Sequence, residues 1–168
     1  LETVLQSAGL KESIHYTKQF NTYSENLNDE ASHKIRPDII INLPDSRHVI
    51  IDSKCTLKSY LEYINDNSKI KEFKTEVKKR ISELAAKNYQ NANNILQPDF
   101  VLMYIPIDGA VSLIYDDIDI INFAYKSNII IVGTASLLTT IRLVNELFAH
   151  QKQNQNIQQI ILMKIRLK

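Results

Sequence analysis

Residues 36–54 read RPDIIINLPDSRHVIIDSK, and this stretch decides the fold. Two isoleucine-rich runs within it are separated by residues 44–46, a Pro-Asp-Ser sequence that is typical of a turn. Pro37 stands just before the first run, at a strand start, where proline is tolerated. The stretch therefore predicts an antiparallel hairpin, with one strand over 36–43 and the other over 48–54.

Each predicted strand carries an aspartate among apolar residues. Successive strand side chains point to opposite faces, so Asp52 and Lys54 share one face. If paired residue numbers sum to 90, Asp38 lies opposite Asp52, with Cβ atoms about 5 Å apart. A sum of 91, or a bulge, would separate the two aspartates. We expect the first register, which brings two carboxylates and a lysine together.

Carboxylates that face each other between isoleucines destabilise a sheet, and burial increases the cost. A divalent cation such as Mg²⁺ or Mn²⁺ removes the penalty, since it binds one or two carboxylates and keeps several waters. Asp38 and Asp52, with the Ser53 carbonyl as a third oxygen, predict a metal site that activates water against a phosphodiester. Lys54 would position that water or stabilise the phosphate. The alternative is that both short motifs arise by chance, and their combination on paired strands strengthens the catalytic interpretation without excluding chance.

The remaining pattern is that of a mixed sheet flanked by helices. Residues 1–150 are predicted to form the domain, and residues 151–168, polar and basic, to be a truncated helix. Within the domain, periodicity and turn residues predict a helix over 1–8, a strand over 13–23, a loop over 24–34, a short helix near 57–64, a long helix from about 69 to about 91, buried strands over 100–105 and 129–132, a helix over 117–126 and a last helix capped by Thr134.

Composition excludes several classes of protein. The 168 residues suffice for one core, and a net charge of +1 means that any nucleic-acid site must come from local clustering. A single cysteine, Cys55, rules out an intrachain disulfide framework and suits a cytoplasmic location. No apolar run approaches the roughly 18 residues that cross a bilayer. Gly133-Thr134 lacks the further glycines of a nucleotide-binding loop, so no small-molecule cofactor is expected.

Short motifs spread in order along the chain resemble the signature of the RmuC family. They are Arg36-Pro37-Asp38, Leu43-Pro44-Asp45, Ile51-Asp52-Ser53-Lys54 followed by Leu57 and Tyr60, Leu84 to Tyr89, Pro98 to Pro106, and Thr134 to Val144. The resemblance implies a role in DNA recombination and in limiting sequence inversions. The hairpin motif is also similar to that of PD-(D/E)XK nucleases. This second similarity implies a restriction-endonuclease-like α/β fold and a magnesium-dependent deoxyribonuclease.

The two resemblances add further expectations. In PD-(D/E)XK nucleases a glutamate of the first helix often joins the site, and Glu2 matches it by position. Asp108 stands where the RmuC pattern has an acidic residue, usually glutamate. RmuC proteins usually carry an N-terminal membrane segment and a long coiled coil. The parent protein is therefore expected to be anchored to a membrane and to form a homo-oligomer through the coiled coil.

DNA is the expected partner, and four residues are predicted to contact it. Arg36 lies beside the predicted site, Gln19 on the preceding strand, and Lys74 and Lys78 on a basic stripe of the long helix. Interleaved glutamates favour a solvated face for this stripe instead. Three tyrosines suit base stacking or, as the favoured alternative, core packing: Tyr60, Tyr63 and Tyr89.

Two other functions remain open from the sequence. One is a DNA-binding module that kept the fold without turnover, and the other is a structural domain of a coiled-coil protein. The first predicts DNA binding without cleavage in any metal. The second predicts no DNA binding at low salt and no effect of metal on the melting temperature.

Overall fold

The structure is a computed structural model, and it describes residues 1–18, 22–24, 33–43, 47–53, 58–89, 100–143, 146, 149–150 and 153. Along these residues helices flank two groups of strands. The elements are α1 (Glu2–Ser7), β1 (Tyr16–Lys18), β2 (Thr22–Ser24), β3 (His33–Ile35), β4 (Ile39–Asn42), β5 (His48–Asp52), α2 (Lys58–Asn65), α3 (Ile70–Ala86), β6 (Val101–Tyr104), α4 (Asp108–Tyr115), α5 (Ile118–Lys126), β7 (Ile129–Val132) and α6, which begins at residue 134 and is described through residue 143.

The main sheet has five strands in the order β1-β4-β5-β6-β7. β1, β4 and β5 pair antiparallel, whereas β5, β6 and β7 pair parallel. The start of β4 therefore lies at the same edge as the ends of β5, β6 and β7. β2 and β3 pair separately as a two-stranded sheet. The predicted mixed sheet flanked by helices is confirmed.

Both faces of the main sheet are covered by apolar side chains. On one face, Ile40 and Ile50 pack with the buried stripe of α3 and with residues of α4 and α5. On the other face, Ile39 and Ile51 pack with Leu5 of α1 and with the buried residues of α6. Burial on both faces explains why β4 to β7 read as almost continuous apolar runs.

Three predicted elements differ from the structure. The strand predicted over 13–23 is interrupted, because Ser13 has a positive φ of 66° and β1 begins only at residue 16. The loop predicted over 24–34 overlaps β3 at its end. The long helix stops at Ala86 instead of near residue 91. The predicted helix end near Gly9 agrees with its φ of 83°, a conformation that favours glycine.

The start of α6 corrects a predicted cap. Gly133, not Thr134, occupies the cap position, because its carbonyl accepts from Leu137 N at 3.0 Å. Its own N–H donates to Ser136 Oγ at 3.0 Å. Thr134 N instead donates to Oδ1 of Asp108 at 3.2 Å. A Cβ at Gly133 would lie 2.8 Å from the same Asp108 oxygen, so a larger residue would disturb this contact.

Asp117 caps α5 and also binds a lysine of α3. Its carboxylate accepts from Asp119 N at 3.1 Å and Ile120 N at 3.2 Å, and it lies 2.7 Å from Lys74 Nζ. The hydrogen bond from Lys74 is the main cause that lowers the pKa of Asp117 below its ordinary value of 3.8. The side chain therefore ties two helices of one face together.

We expect Asp117→Ala to lower the free energy of unfolding by about 1–2 kcal/mol, because the cap is lost. Asp117→Asn is the matched control, since asparagine caps equally well and removes only the charge. A lowered folded-state pKa stabilises above the unfolded value and loses this contribution as pH falls through the folded value. Urea unfolding should thus show the full wild-type advantage over Asp117→Asn at pH 7 and a smaller one at an acid pH below the ordinary value of 3.8. An equal advantage at both pH values would contradict the ion pair.

Within the part of the chain that the structure describes, no helix is both long and apolar enough to cross a membrane. The segment over 151–168 lies outside the described residues except for Gln153. Its predicted truncated helix, and the domain boundary at residue 150, stay predictions.

Candidate active site

The register of the hairpin is the one that brings the two aspartates together. Asn42 pairs with His48, and every other pair of β4 and β5 also sums to 90. The predicted register is thus confirmed. Continued by one step past β4, it places Asp38 opposite Asp52, on the face that carries Ile50.

Asp38 is fixed by the residue that follows Asp52. Its Oδ2 accepts from Ser53 N at 2.9 Å and from Ser53 Oγ at 3.1 Å. Because Ser53 N belongs to the peptide bond after Asp52, the Asp38 carboxylate lies beside the main chain of Asp52. Pro37 is buried and Arg36 is exposed, so the positively charged Arg36 lies on the solvent side just before β4 begins.

Asp52 is a buried carboxylate that accepts hydrogen bonds from a lysine and a tyrosine. It is 4% exposed, and its Oδ2 accepts from Lys87 Nζ and, at 3.2 Å, from the hydroxyl of Tyr89. Both donors lie just after the end of α3. An unpaired carboxylate at this depth would be costly, so the ammonium group of Lys87 offsets its charge. The same ammonium lies 5.6 Å from the ring centre of Tyr89.

The pKa of the Tyr89 hydroxyl is affected by both carboxylates. Burial is the main cause that raises the pKa of its hydroxyl, followed by the charge and hydrogen bond of Asp52 and then by the charge of Asp38. All four causes favour the neutral phenol. Tyr89 therefore stays a hydrogen-bond donor to Asp52 at physiological pH, and its ring, 2% exposed, belongs to the core.

The residues at this edge suit a hard divalent cation. Asp38 and Asp52 supply charged oxygens, which Mg²⁺ prefers, and one or two carboxylates suffice because waters and substrate phosphate complete the shell. Among the described residues, no three His, Cys, Asp or Glu side chains group closely enough to hold a metal by themselves. A cation held by these two carboxylates would keep open positions for water and substrate. The predicted third ligand, the carbonyl of Ser53, stays a prediction.

Two predicted residues lie outside the described part of the chain. Lys54 follows Ser53 directly, and Gln19 follows β1. The structure describes neither, so the proposed roles of Lys54 in catalysis and of Gln19 in DNA contact remain predictions.

Glu2 is engaged elsewhere. Its Oε1 lies 2.7 Å from Lys18 Nζ and accepts from the Gln6 amide at 3.2 Å. The hydrogen bonds that Lys18 donates to Glu2 and Glu12 raise the pKa of Lys18. By strand alternation Lys18 belongs to the face opposite that of Asp52. The catalytic role predicted for Glu2 stays a prediction, and its salt bridge offers a structural explanation for the residue.

The predicted DNA-binding lysines of α3 differ in their surroundings. Lys74 forms an ion pair with Asp117, whereas Lys78 is exposed. Glu72 and Glu83 of this helix form ion pairs with neighbouring basic residues. These pairs agree with the solvated face that the interleaved glutamates favour. The two tyrosines of α2 lie against Phe73, with ring centres 5.5 Å (Tyr60) and 6.5 Å (Tyr63) away. These contacts favour packing for both tyrosines.

Sequence reasoning missed the functional contacts of Lys87 and Tyr89. Both lie in the Lys-Asn-Tyr sequence that resembled a family motif, so that motif carried the signal. No pattern along the chain says that the residues after a helix reach back to a strand 35 positions earlier.

The fold and the site define an α/β domain whose mixed sheet presents two aspartates and a lysine at one edge. The family model described as RmuC matches residues 1–167. The chain therefore belongs to the RmuC family.

The relatives carry names that refer to DNA recombination. DNA recombination protein RmuC of Escherichia coli (strain K12) is 33% identical over 95% of this chain and 34% of its own length. The RmuC homologs of Vibrio cholerae and Haemophilus influenzae are 34% and 33% identical over 95% of this chain, and over 32% and 36% of their own lengths. The chain thus spans about a third of the length of each of these relatives. No solved structure matches it.

Proposed function

We propose that this domain is a divalent-metal-dependent deoxyribonuclease that acts in DNA recombination. The observation that carries the proposal is the confirmed register of β4 and β5, which sets Asp38 opposite Asp52 at the edge where β5, β6 and β7 end. The names of the relatives support DNA as the substrate. Like charges on facing positions of a sheet repel each other, and a cation shared by both carboxylates would remove that repulsion.

Each residue at the edge has a proposed task. A bound Mg²⁺ or Mn²⁺ would supply Lewis acidity toward a phosphodiester and lower the pKa of water. Asp38 and Asp52 would hold it, and the two hydrogen bonds from Ser53 keep the Asp38 carboxylate oriented. Lys54 would stabilise the phosphate as it gains charge. Arg36, exposed beside the site, would contact the DNA backbone, where contacts give affinity without reading sequence.

The type of fold proposed is restriction-endonuclease-like, with a PD-(D/E)XK site. A mixed sheet covered by helices on both faces supports it, as does the position of the aspartates on adjacent antiparallel strands. Working on chromosomal DNA, the domain would act on the cytoplasmic side of the membrane. Assembly into a homo-oligomer through a coiled coil is part of the same proposal for the whole protein.

Incubation of the protein with supercoiled plasmid DNA, with Mg²⁺, with Mn²⁺ or with EDTA, tests the proposal. We expect nicked or linear products with either cation and none with EDTA. A heat-inactivated sample, carried through the same purification, controls for a contaminating nuclease. Retardation of DNA on a gel without cleavage in either cation would favour the non-catalytic DNA-binding module instead. Absence of both binding and cleavage at low salt would contradict a DNA function of this domain.

A further inference from the structure

Lys87 occupies the position that a cation would take at Asp52. Its Nζ contacts Oδ2 of a carboxylate that is only 4% exposed. The lysine side chain itself is 31% exposed, so it reaches the site from solvent and has room to leave. Tyr89 donates to the same oxygen from within the core.

We propose that Lys87 is a displaceable counter-ion, which binds Asp52 until a divalent cation takes its place. The inference rests on the proposed metal site. An ammonium group and a divalent cation that both need one carboxylate oxygen compete by charge and by space. On displacement the Lys87 ammonium moves into solvent at the edge of the sheet, while Tyr89 keeps its hydrogen bond and holds the carboxylate in place.

Lys87 supplies positive charge to a buried aspartate that needs a partner. Removing one partner of a buried ion pair is strongly destabilising because it leaves a buried charge uncompensated, so a divalent cation that replaced Lys87 would keep Asp52 compensated. Asp38 has its own neutral donors in Ser53, so it needs no counter-ion of this kind. The competition is thus directed at Asp52 alone, and it sets how much free cation is needed to load the site.

Mn²⁺ binding to Lys87→Met, followed by the electron paramagnetic resonance of free Mn²⁺, tests this role. Methionine keeps much of the length of the side chain and removes its charge. We expect the variant to bind Mn²⁺ at least about tenfold more tightly than wild type. Lys69→Met is the matched control, because Lys69 pairs with Glu72 at the other end of α3, and the affinity of this variant for Mn²⁺ should equal that of wild type.

A second measurement uses the unmodified protein and so does not depend on how the variant folds. Reductive methylation with mass spectrometry reports how accessible each lysine is. We expect methylation of Lys87 to rise as Mn²⁺ is added, and the midpoint of this rise to match the midpoint of the Mn²⁺ binding curve. Methylation of Lys74 should stay constant.

The outcomes separate this inference from the proposed function. Equal or weaker Mn²⁺ binding by Lys87→Met overturns the counter-ion role and leaves the metal site standing. Tighter Mn²⁺ binding by Lys87→Met, without increased methylation of Lys87 in the unmodified protein, also overturns it. The lysine charge would then weaken Mn²⁺ binding by repulsion from a distance, without leaving Asp52. Failure of both proteins to bind Mn²⁺ overturns the metal site and this inference together.

Discussion

Asp52→Asn is expected to reduce metal-dependent DNA cleavage at least ~100-fold, the size of effect seen when one electrostatic group of a catalytic site is removed. Asparagine has the shape of aspartate and still accepts hydrogen bonds, so Tyr89 and Lys87 keep a partner. What it lacks is the negative charge that a hard cation requires. The substitution therefore separates the chemistry of the site from its packing.

Initial rates of plasmid nicking at saturating Mn²⁺ measure the effect. Asp116→Asn makes the same chemical change at an exposed aspartate and should cleave like wild type. The melting temperature with and without Mn²⁺ gives a second reading. We expect Mn²⁺ to raise that of wild type and of Asp116→Asn, because a ligand of the folded state stabilises it, and to leave that of Asp52→Asn unchanged. Cleavage by Asp52→Asn at the wild-type rate would remove Asp52 from the site.

The hairpin could be predicted because its information is local. Two apolar runs joined by a short turn predict antiparallel strands, whereas isoleucines on both faces left two registers open, and a slip by one residue would have turned Asp52 away from Asp38. The buried strands β6 and β7 were predicted for a similar reason, since short runs of β-branched and other apolar residues between turns suit doubly covered strands.

Helix α4 was not predicted, and its composition explains why. It begins with Asp108-Gly109, and glycine disfavours a helix interior. A Cβ at Gly109 would meet the hydroxyl of Tyr60, so a larger residue there would have to displace this side chain. The contact comes from a residue that is distant in sequence, so local propensity did not indicate the helix.

The partners of Asp52 depend on long-range structure as well. Lys87 and Tyr89 reach it only because α3 ends at Ala86, earlier than its apolar and polar pattern indicated. Asn88 has a positive φ of 47°, which turns the chain between the two donors. Asparagine tolerates this conformation better than most residues. The sequence therefore has a residue at position 88 that suits a turn, but the identity of Asn88 alone does not predict that the chain turns there.

Phe73→Ala is expected to lower the free energy of unfolding by about 3–5 kcal/mol. Phe73 is fully buried on α3 and lies between the rings of Tyr60 and Tyr63 and the sheet face that carries Asp52. Its removal leaves a cavity that α2 cannot fill without moving. A loss of this size is a large part of the roughly 5–15 kcal/mol that stabilises a typical domain.

Urea unfolding followed by circular dichroism measures this loss as a lower midpoint at an unchanged slope. Phe123→Ala is the matched control, since it removes the same ring from α5, where the side chain is 37% exposed. It should cost about 1 kcal/mol, because less apolar area leaves contact with the core. Equal losses for the two variants would contradict the position of Phe73 in the core. They would also weaken the argument that α3 is held rigidly enough to present Lys87 and Tyr89 to Asp52, because this helix is anchored to the sheet by that buried stripe.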